Sequence, residues 1–202
     1  MRKGNLITAL VLMATWIAAG VSAQTNEGDA YQRFLKLTGT VSQTYKNGEA
    51  VEAEAQAKEL LAIAPEYRAD WNYGNAVHTG HLVLGRIAAD AGKMAEAKRQ
   101  LLESVAAANM PYGYEHAPEQ PWEQRPKPGK WKASPQMDSF GPDMTLANEL
   151  LKKGETETVL KYFELCAKFW DMEKGSLAKW KKQIADGETP DFGPNMRYFF
   201  GN

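Results

Sequence analysis

The chain has 202 residues, with 24 Lys and Arg against 25 Asp and Glu, for a formal charge of −1 at pH 7. So even a balance argues against the concentrated basic face that nucleic acid or an anionic membrane surface calls for, and one cysteine excludes an internal disulfide. Stability has to come from packing, for which a 44% hydrophobic and 10% aromatic content is sufficient.

Arg2 and Lys3 precede Leu6 to Val21, an apolar stretch without a charge, and Val21-Ser22-Ala23 sets small residues ahead of Gln24. This is the pattern of a secretory signal cleaved after Ala23. Residues 1–23 are therefore expected to be a signal peptide, and 24–202 a single helical domain that is periplasmic or secreted. The alternative is an uncleaved N-terminal anchor, but the apolar run is shorter than the ~20 residues that cross a bilayer comfortably. Cys166 is the only cysteine and lies far from the cleavage site, so no thiol is available there to carry a lipid. Without Arg2 and Lys3 the count becomes 22 cations against 25 acids, a balance of −3.

Seven helices follow in chain order. Tyr31, Phe34, Leu35, Thr38, Val41 and Tyr45 recur at three-to-four spacing, and Asn47-Gly48 stops that helix. The second runs from about Glu49 to Ala64, where Pro65 closes it. The third, about Asp70 to Ala91, carries Trp71, Val77, His81, Leu84 and Ala88, and the fourth runs from Lys93 to Ala108. The fifth, Pro142 to Lys153, and the sixth, Glu155 to Phe169, turn at Gly154. Ser176 is expected to cap a seventh, with Leu177, Trp180 and Ile184 as its apolar stripe.

A repeat underlies this order. Seven residues before Gly48, Gly92 and Gly154 stand Val41, Gly85 and Ala147, and four before stand Thr44, Ala88 and Leu150. Five after come Ala53, Ala97 and Val159, nine after come Ala57, Leu101 and Phe163, and twelve after come Leu60, Ser104 and Cys166. Offsets of this kind mark one face of a helix, a tight turn, and one face of a second helix. The expected fold is all-α, with about three stacked antiparallel hairpins and a C-terminal capping helix. The glycines are 44 and 62 residues apart, so the hairpins are separated by inserted chain.

The second and third hairpins resemble the tetratricopeptide repeat, through Leu84-Gly85, Ala88, Gly92, Ala97 and Leu101 and again through Leu146-Ala147, Leu150, Gly154, Val159 and Phe163. In the first, Pro65 stands where that family ends its second helix with proline. The run Ser139-Phe140-Gly141-Pro142-Asp143-Met144, with Lys153-Gly154-Glu155, Tyr162 to Cys166 and Phe169-Trp170, is similar to a group of secreted bacterial repeat proteins. So are Asn72 to Ala76 and His81 to Gly85. The resemblance implies an α-solenoid and export, and it implies no catalytic residue and no cofactor.

Candidate chemistry is sparse. His78 and His81 lie three apart on one helix and are the alternative for a metal site, to which His116 belongs only if its loop folds back; the competing reading is a pair of packing histidines. Cys166 falls at a packing position with no base nearby, and pairs such as Glu52 and Glu54 read as solvated helix starts. The insertion 109–136 holds Tyr112, Tyr114, His116, Trp122 and Trp131 among six prolines, a composition for a stiff loop that grips its own domain or a ligand. By phase the first helices line a groove with Thr38, Ser42, Tyr45, Lys46, Arg86, Asp90, Met144, Asn148 and Lys152, a set able to hold an extended chain or its carboxylate. The tail, 187–202, repeats the Phe-Gly-Pro run as Asp191-Phe192-Gly193-Pro194-Asn195-Met196, which suggests two similar docking corners with buried phenylalanines; Tyr198, Phe199 and Phe200 follow. Three functions stay open: a non-catalytic binding scaffold for a protein or peptide, a metal-dependent enzyme or metal-binding protein, and a structural subunit of an envelope complex.

Overall fold

The computed structural model describes residues 9–107, 137 and 139–196, with side chains from Gly28 onward. The expected leader 1–23, the insertion 109–136 and the last aromatics, Tyr198, Phe199 and Phe200, lie outside the residues whose side chains are described. Among the described residues there is no strand, and seven α-helices follow one another: α1 (Ala9–Lys46), α2 (Ala50–Ile63), α3 (Tyr73–Asp90), α4 (Met94–Glu103), α5 (Thr145–Lys152), α6 (Thr156–Cys166) and α7 (Ser176–Ala185). Short 3-10 turns occupy Ala64–Tyr67 and Gly193–Met196. None of these helices is long and apolar enough to cross a membrane.

The glycine frame is one backbone device used three times. At Gly48, Gly92 and Gly154 φ is +85°, +71° and +82°. The N–H after each glycine bonds the carbonyl four before it, Glu49 to Thr44 at 3.3 Å, Lys93 to Ala88 at 2.8 Å and Glu155 to Leu150 at 3.0 Å. The glycine's own N–H bonds the carbonyl three before, on Tyr45, Ala89 and Leu151. This pair of bonds closes a helix through a left-handed residue, which only glycine adopts without a Cβ penalty. The next helix begins at once, and α7 ends the same way at Gly187.

Burial follows the same frame. Of the fifteen positions at the repeat offsets, Thr44 alone is half-buried and the others are buried. α1 packs on α2 and α3, α3 on α4 and α5, α4 on α5 and α6, and α6 on α7. One core gathers Phe34, Leu37, Val41, Leu60 and Val83, and a second gathers Leu101, Leu146, Phe163, Trp180 and Phe192. Gly85 sits where α3 meets α4 and α5. A Cβ there would lie 2.3 Å from Leu146 Cδ2 and 3.1 Å from Gln100 Cβ, so the three helices approach this closely only over a glycine.

Two local expectations are corrected. Ser176 is the first helical residue of α7 and not its cap: Gly175, at φ +84°, holds that place, and Glu173 Oε2 accepts the Leu177 N–H at 3.0 Å. The supply of an acceptor from two residues upstream of Gly175 makes a hydroxyl cap unnecessary. The second correction concerns the Phe-Gly-Pro corners. Phe192 is 2% exposed among Phe163 and Trp180, whereas Phe140 is 56% exposed. Gly141 takes the space instead, for a Cβ there would stand 2.3 Å from Trp170 Cε2.

The two corners are joined to each other. Asn195 Nδ2 donates to the carbonyls of Phe140 and Pro142, both at 3.0 Å, and the Asn195 carbonyl accepts the Met144 N–H at 2.8 Å. Trp170 Nε1 donates to the Ser139 carbonyl at 3.2 Å and Trp180 Nε1 to the Asp191 carbonyl at 2.9 Å, the same position in each run. The two indole rings are 5.8 Å apart.

Candidate functional site

The polar residues of α1, α3 and α5 form a ladder across three helices. Tyr45 donates its hydroxyl to Asp90 Oδ2 at 2.6 Å, and the Arg86 guanidinium lies 4.7 Å from the Tyr45 ring centroid. Arg86 Nε and Nη2 both reach Glu149 Oε1, at 2.9 and 2.8 Å. Burial, then the bond to Asp90, pushes the Tyr45 phenol well above its ordinary range, so it stays a donor. The Lys46 ammonium is held below the usual lysine range by partial loss of solvent first and by repulsion from Arg86 second, with Asp143 opposing.

The ladder has a register. Tyr45 stands three before its glycine and Asp90 two before the next; Arg86 stands six before its glycine and Glu149 five before the next. Each pair joins one offset on one hairpin to the following offset on its neighbour, as expected of adjacent helices displaced by about one residue. Glu149 was missing from the expected groove set, and this stagger with its opposite charge is the signal that finds it.

The expected groove residues thus divide. Tyr45, Arg86 and Asp90 are spent on holding the helices together. Ser42 is 3% exposed and faces the core, as does Met144, which is fully buried. The helical phase that placed them on the groove wall does not decide their burial, and Met144 stands just ahead of the first residue of α5. Lys46 and Lys152 are exposed and Asn148 is half-buried. Among the described residues Asn148 and Lys152 make no side-chain hydrogen bond or ion pair.

His78 and His81 are brought to different tasks. The Nδ1–H of His78 donates to the Ser104 carbonyl at 3.1 Å, and its Nε2 accepts the Asp143 N–H at 3.0 Å, which fixes the tautomer. Both nitrogens are therefore occupied in tying the end of α4 to the start of α5. Burial lowers its pKa to about 3, the bond to Ser104 opposing that shift. His81 Nδ1 meets Gln100 Oε1 at 2.6 Å, and burial lowers its pKa also. No three His, Cys, Asp or Glu gather for a metal ion among the described residues. His116 and the insertion aromatics Tyr112, Tyr114, Trp122 and Trp131 lie outside them.

Cys166 and Tyr162 belong to the second core. Both are fully buried, and burial is the first cause raising the pKa of each. Tyr162 donates to the Asp143 carbonyl at 3.2 Å. A thiol so buried is held protonated and out of reach of a substrate. Comparison with protein-family models, with curated proteins and with solved structures finds no match to this chain.

Proposed function

We propose that the chain is a tetratricopeptide-like stack of three helical hairpins closed by α7, exported after loss of residues 1–23, and that it works without catalysis as a scaffold binding a protein or peptide on the α1–α3–α5 face. The observation that carries this reading is the ladder Tyr45–Asp90, Arg86–Glu149 beside the uncommitted Asn148 and Lys152. Three first helices locked by polar bonds present a rigid surface, which limits the ordering cost of binding. An amide at Asn148 suits the backbone of an extended chain, and an ammonium at Lys152 suits its carboxylate. The insertion 109–136, between α4 and α5 in sequence, is the second arm of the site, with Tyr112, Tyr114, Trp122 and Trp131 as its gripping groups.

The test is affinity capture from envelope extract with residues 24–202, native beside Asn148→Ala/Lys152→Glu. Arg86 is left intact because its loss would release α3 from α5. A partner held by the native chain and lost by the variant, at unchanged helical circular dichroism, is the expected result. Equal retention would move the site off this face, and capture of nothing by the native chain would count against a scaffold.

A further inference from the structure

The corner between α2 and α3 lies at the far end of α3 from Arg86 and Asp90. α3 has 18 residues, which at 1.5 Å per residue is about 27 Å. The corner is fixed from several sides. Tyr67 packs its ring 4.7 Å from Phe34, Tyr31 donates to Asp70 Oδ2 at 2.8 Å, and Asp70 Oδ1 accepts the Asn72 N–H at 2.7 Å. Against this rigid frame opens a pocket of about 280 Å³ lined by Pro65, Glu66, Arg68 and Ala69.

Arg68 differs from its counterparts. Of the four arginines with described side chains, Arg33 pairs with Glu59, Arg86 with Glu149 and Arg99 with Glu96. Arg68 makes no ion pair or side-chain hydrogen bond to any described residue, and its Nε is buried without an acceptor. A guanidinium is always charged and offers a planar fork of donors matched to an oxyanion. Because no protein bond holds it, turning that fork toward an entering oxyanion breaks nothing and satisfies a donor otherwise left unmade.

We propose that this pocket is a separate binding site for a monoanionic carboxylate, held by Arg68. Glu66 on the pocket wall sets the charge selectivity: a second negative charge on the ligand meets its repulsion, so a carboxylate is preferred to a phosphate dianion. The site is independent of the α1–α3–α5 face and stands or falls without it.

The test is a nuclear magnetic resonance titration of the full domain with sodium acetate, sodium phosphate and sodium chloride at matched ionic strength. The Arg68 Nε–H resonance and the backbone amides of Glu66, Arg68 and Ala69 are followed. Acetate is expected to shift them saturably, at roughly 10–100 mM as befits one small ion, with phosphate weaker and chloride without a saturable effect. Arg68→Gln should abolish the backbone shifts, and Glu66→Gln should raise the affinity for phosphate toward that for acetate. Equal shifts in all three salts, or acetate shifts that persist in Arg68→Gln, would overturn the site. If Arg68→Gln fails to fold, Arg68→Lys serves in its place, with a several-fold weaker response expected and an unchanged one contradictory.

Discussion

The two Phe-Gly-Pro corners carry almost the same six residues and end in different environments. In both, a tryptophan indole donates to the carbonyl two residues before the glycine, from Trp170 to Ser139 and from Trp180 to Asp191. Beyond that shared bond they diverge. At the first corner Gly141 lies under the Trp170 ring and Phe140 is turned out; at the second Phe192 enters the aromatic cluster and Gly193 faces open space. The Asp143 N–H at the first corner goes to the His78 imidazole, whereas the Asn195 N–H at the second returns to the Phe192 carbonyl. A short motif sets backbone course and its hydrogen bonds, while the neighbouring helices decide which side chain is buried.

Substitution at the glycines breaks the comparison most sharply. Gly141→Ala puts a Cβ 2.3 Å from Trp170 at φ +91°, which is both overpacked and strained. A loss of about 4 kcal/mol is expected from those two causes. Gly193→Ala meets nothing within 4 Å at φ +52°, so only the backbone strain of about 1 kcal/mol applies. Urea denaturation of the two variants checks the difference, and equal losses would refute the packing argument.

The phenylalanines should follow in the opposite sense. Phe192→Ala empties a buried site beside Phe163 and Trp180 and should cost about 3 kcal/mol. Phe140→Ala, at a position 56% exposed, should cost less than about 1 kcal/mol. Thermal melts of both read this directly. Asn195→Ala tests the link between the corners, since it leaves the Phe140 and Pro142 carbonyls without their shared donor. A cost of about 2 kcal/mol is expected, and hydrogen exchange should quicken at the Met144 amide.

Acid acts on the first corner through His78. His78 has a folded pKa of about 3, below its unfolded value of 6.5, so the unfolded chain takes up the proton first. Its contribution is therefore complete above pH 6.5 and is lost as pH falls from there toward 3. Between pH 8 and pH 5.5 the loss should be about 1.4 kcal/mol from this group. Stability curves of His78→Asn should be flatter over that window, and an unchanged slope would show that the imidazole is not what titrates.

Much of this was legible in the sequence, and the residues show why. The offsets from Gly48, Gly92 and Gly154 located the turns and the buried faces, because a left-handed helix end and a small-residue contact each demand a narrow set of side chains. Side-chain partners across helices were not legible in that way. Ser42 and Met144 read by spacing as a solvent-facing wall, yet both are buried, Met144 just ahead of the first turn of α5. Glu149 has a phase one residue away from the expected set and emerges only when the stagger between hairpins is known. His78 and His81 share a helix face, but Ser104, Asp143 and Gln100, brought in by α4 and the α5 entrance, give them separate partners. Local pattern reads out backbone; long-range contact assigns the polar atoms.

A partner seated on the face built by α1, α3 and α5, as proposed, would shield the backbone of those three helices. Hydrogen–deuterium exchange of the native domain, with and without a partner recovered by the capture experiment, reads that shielding. Slowed exchange in the C-terminal half of α1, in Leu82 to Asp90 and across α5, with α2, α4 and α6 unchanged, is the predicted result. Protection confined to α2, α4 and α6, or to residues 187–196, would contradict it.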